Sequence, residues 1–224
     1  MKRITFILSL LACCLGTAWA KVELPSVIGS HMVLQRNTDV NLWGKAAPNK
    51  KVTIRASWTK EKFTAVADAD GRWATTIPTA DAGGPYTLTF DDGEKTQLTD
   101  ILLGEVWVCG GQSNMEMPVK GFGRQPVEHS YDYILSAAKD ANRIRMFTVK
   151  KDRSYDKDME DCAGGEWYCS SPESVAEMSA TSYFFAAALK DAVDFPIGLI
   201  TANWGGTRVE SWMPLDALKE VVTP

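Results

Sequence analysis

The hydrophobic pattern of this chain changes period near residue 100, and that change limits the possible fold more than any other feature. From Val22 to about Thr99, apolar residues recur at every second position. The runs are Val40/Leu42, Val52/Ile54/Ala56/Trp58, Phe63/Ala65/Ala67, Trp73/Thr75/Ile77 and Tyr86/Leu88/Phe90. Pro48-Asn49, Asp70-Gly71, Gly83-Gly84-Pro85 and Asp92-Gly93 punctuate them. Asp-Gly between two alternating runs predicts a hairpin at 70–71. Short strands at this spacing, with no helical period, predict a small antiparallel β-sandwich over residues 21–100. After Asp100 the pattern becomes strand and helix by turns. A strand at Val106–Cys109 precedes a helix over Tyr131–Lys139, with Tyr131, Ile134, Leu135 and Ala138 on one face. A strand over Ile144–Val149, an exposed loop over Lys150–Asp161, an amphipathic helix over Ser174–Val193 and a buried strand at Pro196–Ile200 follow. That order predicts an α/β domain with a largely parallel sheet over 101–224.

Composition narrows the function classes. The 224 residues suit one large domain or two small ones. The net charge of −4, with no basic run beyond the first residues, argues against nucleic acid and anionic membranes as partners. Eight tryptophans and six tyrosines could line a sugar site, but such rings also fill sandwich cores. No polar cluster in the first hundred residues marks the sandwich as more than a support.

The first 20 residues have the form of a secretory signal. Lys2 and Arg3 start it, Ile4 to Leu15 supply the apolar middle, and Ala18-Trp19-Ala20 offers a cleavage site. The apolar run is short for a membrane span. The expected destination is secreted or periplasmic; Leu10-Leu11-Ala12-Cys13 offers the alternative of a lipid anchor at Cys13. Export would leave Cys109, Cys162 and Cys169, of which the last two flank a glycine-rich segment and could pair. Three cysteines and two histidines show no zinc-ligand spacing, so no metal is expected.

The chemistry concentrates in Gly104–Pro118, GEVWVCGGQSNMEMP. A short apolar strand ends in Gly110-Gly111 and opens into Gln112-Ser113-Asn114. In an open α/β sheet the carboxyl ends of strands are where ligands bind, and glycines there let a serine stand at the mouth. Ser113 is then a nucleophile, or else the trio merely caps the next helix. A second strand end carries Asn203-Trp204-Gly205-Gly206-Thr207, then Glu210 and Trp212. If its strand neighbours the first, its backbone N–H groups and the Asn203 amide can hold the oxyanion of an ester under attack. The alternative is a plain glycine turn with Glu210 in a salt bridge. Two such loops at strand ends favour a hydrolase.

Gly111-Gln112-Ser113-Asn114-Met115 followed by Glu116, together with Trp204-Gly205-Gly206-Thr207 running to Glu210-Ser211-Trp212, resembles the two blocks of the sialate O-acetylesterase family. That family lies within the SGNH (GDSL-like) hydrolases and is similar to certain acetylxylan esterases. Ser171-Pro172-Glu173, Tyr183-Phe184-Phe185 and Asp70-Gly71-Arg72-Trp73 fit the same resemblance. It implies a flavodoxin-like, three-layer α/β/α hydrolase domain of SGNH type behind a small all-β sandwich. It further implies Ser113 as nucleophile, with oxyanion donors from Ser113, Gly205, Gly206 and Asn203. Gln112, Asn114 and Glu210 would shape the pocket. No cofactor is implied, and the substrate would be an O-acetylated sugar.

One part of the family pattern is missing. The base that activates such a serine is, by the resemblance, a histidine in a late Asp-x-x-His segment, and this chain has none. His31 and His129 are expected to be packing or surface residues. The expectation is therefore a hydrolase domain incomplete at its C-terminus, a fragment with little activity by itself. The rivals are an acetylxylan-type esterase of the same fold and a noncatalytic carbohydrate-binding protein.

Overall fold

The computed structural model describes residues 21–155 and 157–221. The expected signal segment, with Cys13, lies outside the described residues. Strands β1 (Val33–Gln35), β2 (Asp39–Lys45), β3 (Lys51–Ala56), β4 (Lys62–Val66), β5 (Arg72–Pro78) and β6 (Gly83–Asp91) come first. The long strand β7 (Lys95–Gly111) follows, then β8 (Ile144–Thr148), β9 (Trp167–Cys169) and β10 (Ile197–Asn203). The α-helices are α1 (Ser113–Glu116), α2 (Ser130–Ser136), α3 (Pro172–Glu177), α4 (Ala180–Lys190) and α5 (Leu215–Val221).

Two sheets account for the first hundred residues. β4, β3, β6 and β7 run antiparallel in that order, while β2 and β5 form a separate antiparallel ribbon. The period-two residues of both meet in one core: Leu42, Trp73 and Ile77 of the ribbon with Val52, Ile54, Leu88, Phe90 and Ile101 of the larger sheet. Asp70-Gly71 is a turn, as its residues predict, but not a hairpin, because β4 and β5 belong to different sheets. Asp68 explains the corner. Its Oδ1 accepts the N–H groups of Asp70 and Arg72 at 2.9 and 2.8 Å, and the Gly71 carbonyl accepts Ala46 N–H at 2.8 Å. Gly71 has φ +80°, and a β-carbon there would meet the Ala46 carbonyl oxygen at 2.5 Å.

β7 runs straight through the point where the pattern changes. Its first half pairs with β6, and its second half pairs in parallel with β10 over Glu105–Gly111. β10 also pairs in parallel with β8, which places the last of the described strands between two earlier ones. β9, which the sequence pattern does not announce, adds to β8 in the antiparallel sense. On one face of this sheet, Ile144, Met146, Ile197 and Leu199 pack against Val175, Tyr183, Ala186 and Ala187 of α3 and α4. On the other, Phe147, Val106 and Ile200 join the core that includes Val22, Ile28 and Val33. On the side of β7 where β1 covers Leu102–Gly104, no strand continues further among the described residues. Gln35 Oε1 accepts the Val106 N–H there at 3.0 Å, and Val108 is largely exposed.

Two helices differ from the periodic pattern. In α2 the buried residue is Ser130, with Ile134 partly covered and Ala137 buried in the following 3-10 turn, while Tyr131 and Leu135 face outward. The predicted helix over Ser174–Val193 is two helices. Met178 and Ser179 leave helical geometry, and their backbone pairs with the segment after α1. Val119 N–H reaches Met178 O at 2.8 Å, and Ala180 N–H reaches Met117 O at 2.8 Å. Ser171 and Ser179 cap the two pieces, each accepting an N–H three residues on. Cys162 and Cys169 are both free: the first bonds the Gly164 carbonyl and the second lies beside His31. Among the described residues no helix is long and apolar enough to cross a membrane.

Candidate active site

The register between β7 and β10 builds the site. Asn203 stands opposite Gly111, so the two chemistry-bearing loops leave the sheet side by side. Trp204 N–H extends the pairing to the Gly111 carbonyl at 3.1 Å. Ser113 is the first residue of the one-turn helix α1 and is exposed. Its N–H therefore has no intrahelical acceptor and remains free to face a ligand.

Gly205 lies against this turn. A β-carbon on it would sit 3.4 Å from the Ser113 Cα and 2.7 Å from Glu116 Oε2. The Gly205 N–H donates to Glu116 Oε2, and the other oxygen of that carboxylate pairs with Lys151. Lys151, with help from the Gly205 N–H, holds the Glu116 carboxyl below the usual glutamate range. Gln112 Nε2 donates to the Thr207 carbonyl, the hydroxyl of Thr207 donates to the Trp204 carbonyl at 2.7 Å, and Trp212 Nε1 donates to that hydroxyl at 2.8 Å. These bonds fold the β10 loop into one wall of a cleft of about 410 Å³, whose other wall is Gly110, Gly111 and Gln112.

Of the residues expected in the site, Ser113, Gln112, Asn203, Gly205 and Gly206 come together. Gly206 has φ +78°, which carries the loop away from the sheet. Asn114 adjoins Ser113, with its carbonyl accepting Thr181 Oγ1 at 3.1 Å. Glu210 sits in an exposed 3-10 turn, Val209–Trp212, and its carboxylate has no partner among the described residues, Arg208 included. Residue-by-residue reading missed Glu116 and Lys151 as members of the site. Glu116 could have been found from its three-residue spacing to Ser113, which puts both on one helical turn.

Neither histidine reaches the serine, and the Ser113 hydroxyl has no hydrogen bond among the described residues. His129 is exposed, beside Glu128 and Asp132 at the start of α2. His31 Nδ1 meets Asp100 Oδ2 at 2.7 Å, and Arg145 spans both Asp100 oxygens at 2.8 and 3.1 Å. His31, Asp100 and Cys169 bring three potential metal ligands within 4.8 Å of one another. The guanidinium already neutralises that carboxylate, and burial pushes the Cys169 thiol up, so the donor set suits an internal ion pair better than a cation.

The candidate site is thus a serine turn and a glycine loop at neighbouring strand ends of a mixed sheet backed by helices. Comparison with known proteins identifies the family. A family model described as "Carbohydrate esterase, sialic acid-specific acetylesterase" matches residues 103–222, a little over half of the chain, and the chain belongs to that family. Sialate O-acetylesterases of Mus musculus and Homo sapiens are 29% and 30% identical over 89% of this chain. The chain spans 39% and 40% of those relatives' lengths. The crystal structure of a novel carbohydrate acetylesterase from Xanthomonas citri superposes with a TM-score of 0.81 at 33% identity, over 89% of this chain and 44% of that one.

Proposed function

We propose that this chain carries the nucleophile half of a secreted or periplasmic carbohydrate O-acetylesterase acting on O-acetylated sialic acid. The observation that carries the reading is the approach of Gly205 to Ser113, which brings a serine and a glycine loop from two strand ends side by side. The hydroxyl of Ser113 attacks the acetyl carbonyl carbon, and the bond from that carbon to the sugar oxygen breaks. Water then hydrolyses the acyl-serine to release acetate. The Ser113 N–H and the Asn203 amide are the donors available to the oxyanion; the Gly205 N–H is engaged by Glu116. A base must take the serine proton and pass it to the leaving sugar oxygen. No described residue does so, and the family's Asp-x-x-His histidine is the proposed source.

Lys151 and Arg153 support an anionic sugar over a neutral one. Lys151 Nζ lies 5.7 Å and the Arg153 guanidinium 4.7 Å from the centre of the Trp204 ring. Two cations over Trp204, the residue before Gly205, give a carboxylate-bearing substrate a favourable field, one of them already paired with Glu116. The test is acetate release from a chromogenic acetyl ester and from O-acetylated sialic acid. It uses this chain beside a version that adds an Asp-x-x-His segment, with Ser113→Ala in each. Activity of the longer form, lost on Ser113→Ala, supports the reading. Activity that survives Ser113→Ala overturns it.

A further inference from the structure

A cavity larger than the cleft at Gly110–Gln112 lies elsewhere on the molecule. It measures about 720 Å³ and opens between the β2–β5 ribbon and the loop that carries Glu160. Trp43, Trp73, Lys45, Asp68, Arg72 and Glu160 are among its lining residues. We propose that it is a binding subsite for a neutral oligosaccharide, distinct from the ester-cleaving cleft.

Three observations carry this. First, Trp43 is 41% exposed at the cavity, although its strand neighbour Leu42 is fully buried. A strand alternates faces, so Trp43 adds nothing to the sandwich core and presents an indole face outward. An open indole face suits the C–H surface of a pyranose ring, apolar on its face and polar at its rim. Second, Trp73 is 3% exposed, and its Nε1 has no hydrogen-bond partner among the described residues. A buried unpaired donor is costly, and the indole that carries it is part of the cavity wall. Third, both cations at the rim are paired with one carboxylate, and Glu23, Asp68 and Asp161 add three further acids. Glu160 pairs with Arg72 and, at 3.4 Å, with Lys45. An anionic ligand would have to break those pairs, and an apolar ligand would strip water from them without replacing it. A polyhydroxylated neutral ligand can bond to their outer lone pairs and N–H groups while leaving them paired.

The position ties the cavity to the proposed reaction. A single loop touches both sites: Arg153 lies over Trp204 beside Ser113, and Glu160 pairs with Arg72 at the cavity. Seven residue steps separate them in sequence, which bounds their Cα separation at on the order of 25 Å. A glycan chain long enough to reach from the cavity to Ser113 would be held by its neutral units while an acetylated unit meets the serine. The use of the subsite in catalysis rests on the esterase reading, but the binding itself does not.

The test is direct titration by calorimetry and tryptophan fluorescence, without turnover. The probes are xylo-, gluco-, manno- and galacto-hexasaccharides, with 3′-sialyllactose as the charged comparison. Trp43→Ala, Trp43→Tyr and Ser113→Ala are measured beside the parent chain. The expected result is saturable binding of at least one neutral hexasaccharide, weakened about 10-fold or more by Trp43→Ala. Trp43→Tyr should restore most of it, and Ser113→Ala should leave it unchanged. No binding of any neutral probe, binding indifferent to Trp43→Ala, or loss on Ser113→Ala would each overturn the proposal. Because Ser113→Ala abolishes ester cleavage under the esterase reading, failure of that reading leaves this outcome separately readable.

Discussion

The N–H of Gly205 donates to the carboxylate of Glu116, so the two loops of the site are fastened by a backbone bond to a side chain one helical turn from Ser113. A β-carbon on Gly205 would press on that carboxylate at 2.7 Å and touch the Ser113 Cβ at an ordinary 3.5 Å. The obstacle is the end of a flexible side chain rather than backbone. Gly205→Ala should therefore fold, with Tm lowered by no more than about 4 °C. Displacing Glu116 unfastens the loop, and an active form should lose on the order of 10²-fold in kcat/KM. Thermal melts beside acetate release check this; unchanged activity would show the contact to be idle.

Glu116 also governs Lys151. Its lowered pKa, caused first by Lys151 and then by the Gly205 N–H, means that the ionised contact is complete above the ordinary glutamate value of about 4.3. It is lost only as pH falls through the lowered value. Glu116→Gln removes the charge at constant shape, so at pH 7 Lys151 should become more reactive toward amine acylation. Peptide mapping after limited acylation measures this, and equal labelling of Lys151 in both forms would contradict the pairing.

Gly104 and Gly110 lie in the same strand, but only the first is hemmed in. A β-carbon on Gly104 would fall 2.0 Å from the Pro196 carbonyl oxygen, which is backbone, whereas Gly110 meets nothing closer than 3.8 Å. Gly104→Ala should cost about 3 kcal/mol or more by prising β10 from β7. Gly110→Ala should change stability by less than about 1 kcal/mol. Urea unfolding of both variants separates them.

Arg145 is 1% exposed and depends on Asp100 for its countercharge. Asp100 has φ +56°, a conformation that asparagine tolerates well, so Asp100→Asn isolates the lost charge from backbone strain. The cost should be about 3 kcal/mol, from an uncompensated buried cation. The Arg145 guanidinium lowers the Asp100 pKa, so this stabilisation is fully present above about pH 3.9 and disappears as pH falls through the depressed value. Stability measured between pH 7 and pH 3 should fall less steeply in Asp100→Asn than in the parent chain.

Much of the fold was legible because local rules and the final packing agree. Leu42, Ile54 and Phe90 alternate along their strands, and each reaches the core that its period implies. The hairpin expected at Asp70-Gly71 failed because turn chemistry specifies a reversal, not the sheet that the next strand joins. The helix expected over Ser174–Val193 failed because Met178 and Ser179 exchange helical bonds for bonds to Met117 and Val119, which are distant in sequence. On α2, Tyr131 and Leu135 fit an apolar stripe equally well, and only the position of α3 and the sheet selected Ile134 and Ala137 instead.

The sequence by itself determined where the two turns of the candidate site fall. Glycines and small polar residues at two apolar strand ends specify sharp turns, and those depend only on neighbouring residues. The tertiary structure decided what those turns do together. The β7–β10 register puts Asn203 opposite Gly111, and only then does Gly205 reach Ser113 and Glu116. The cavity beside Trp43 arises the same way, since Arg72 and Glu160 are 88 positions apart and meet only when the loop folds back on the ribbon. Strand pairing and side-chain burial are long-range and collective, and no local pattern in the chain encodes which distant residues they will bring into contact.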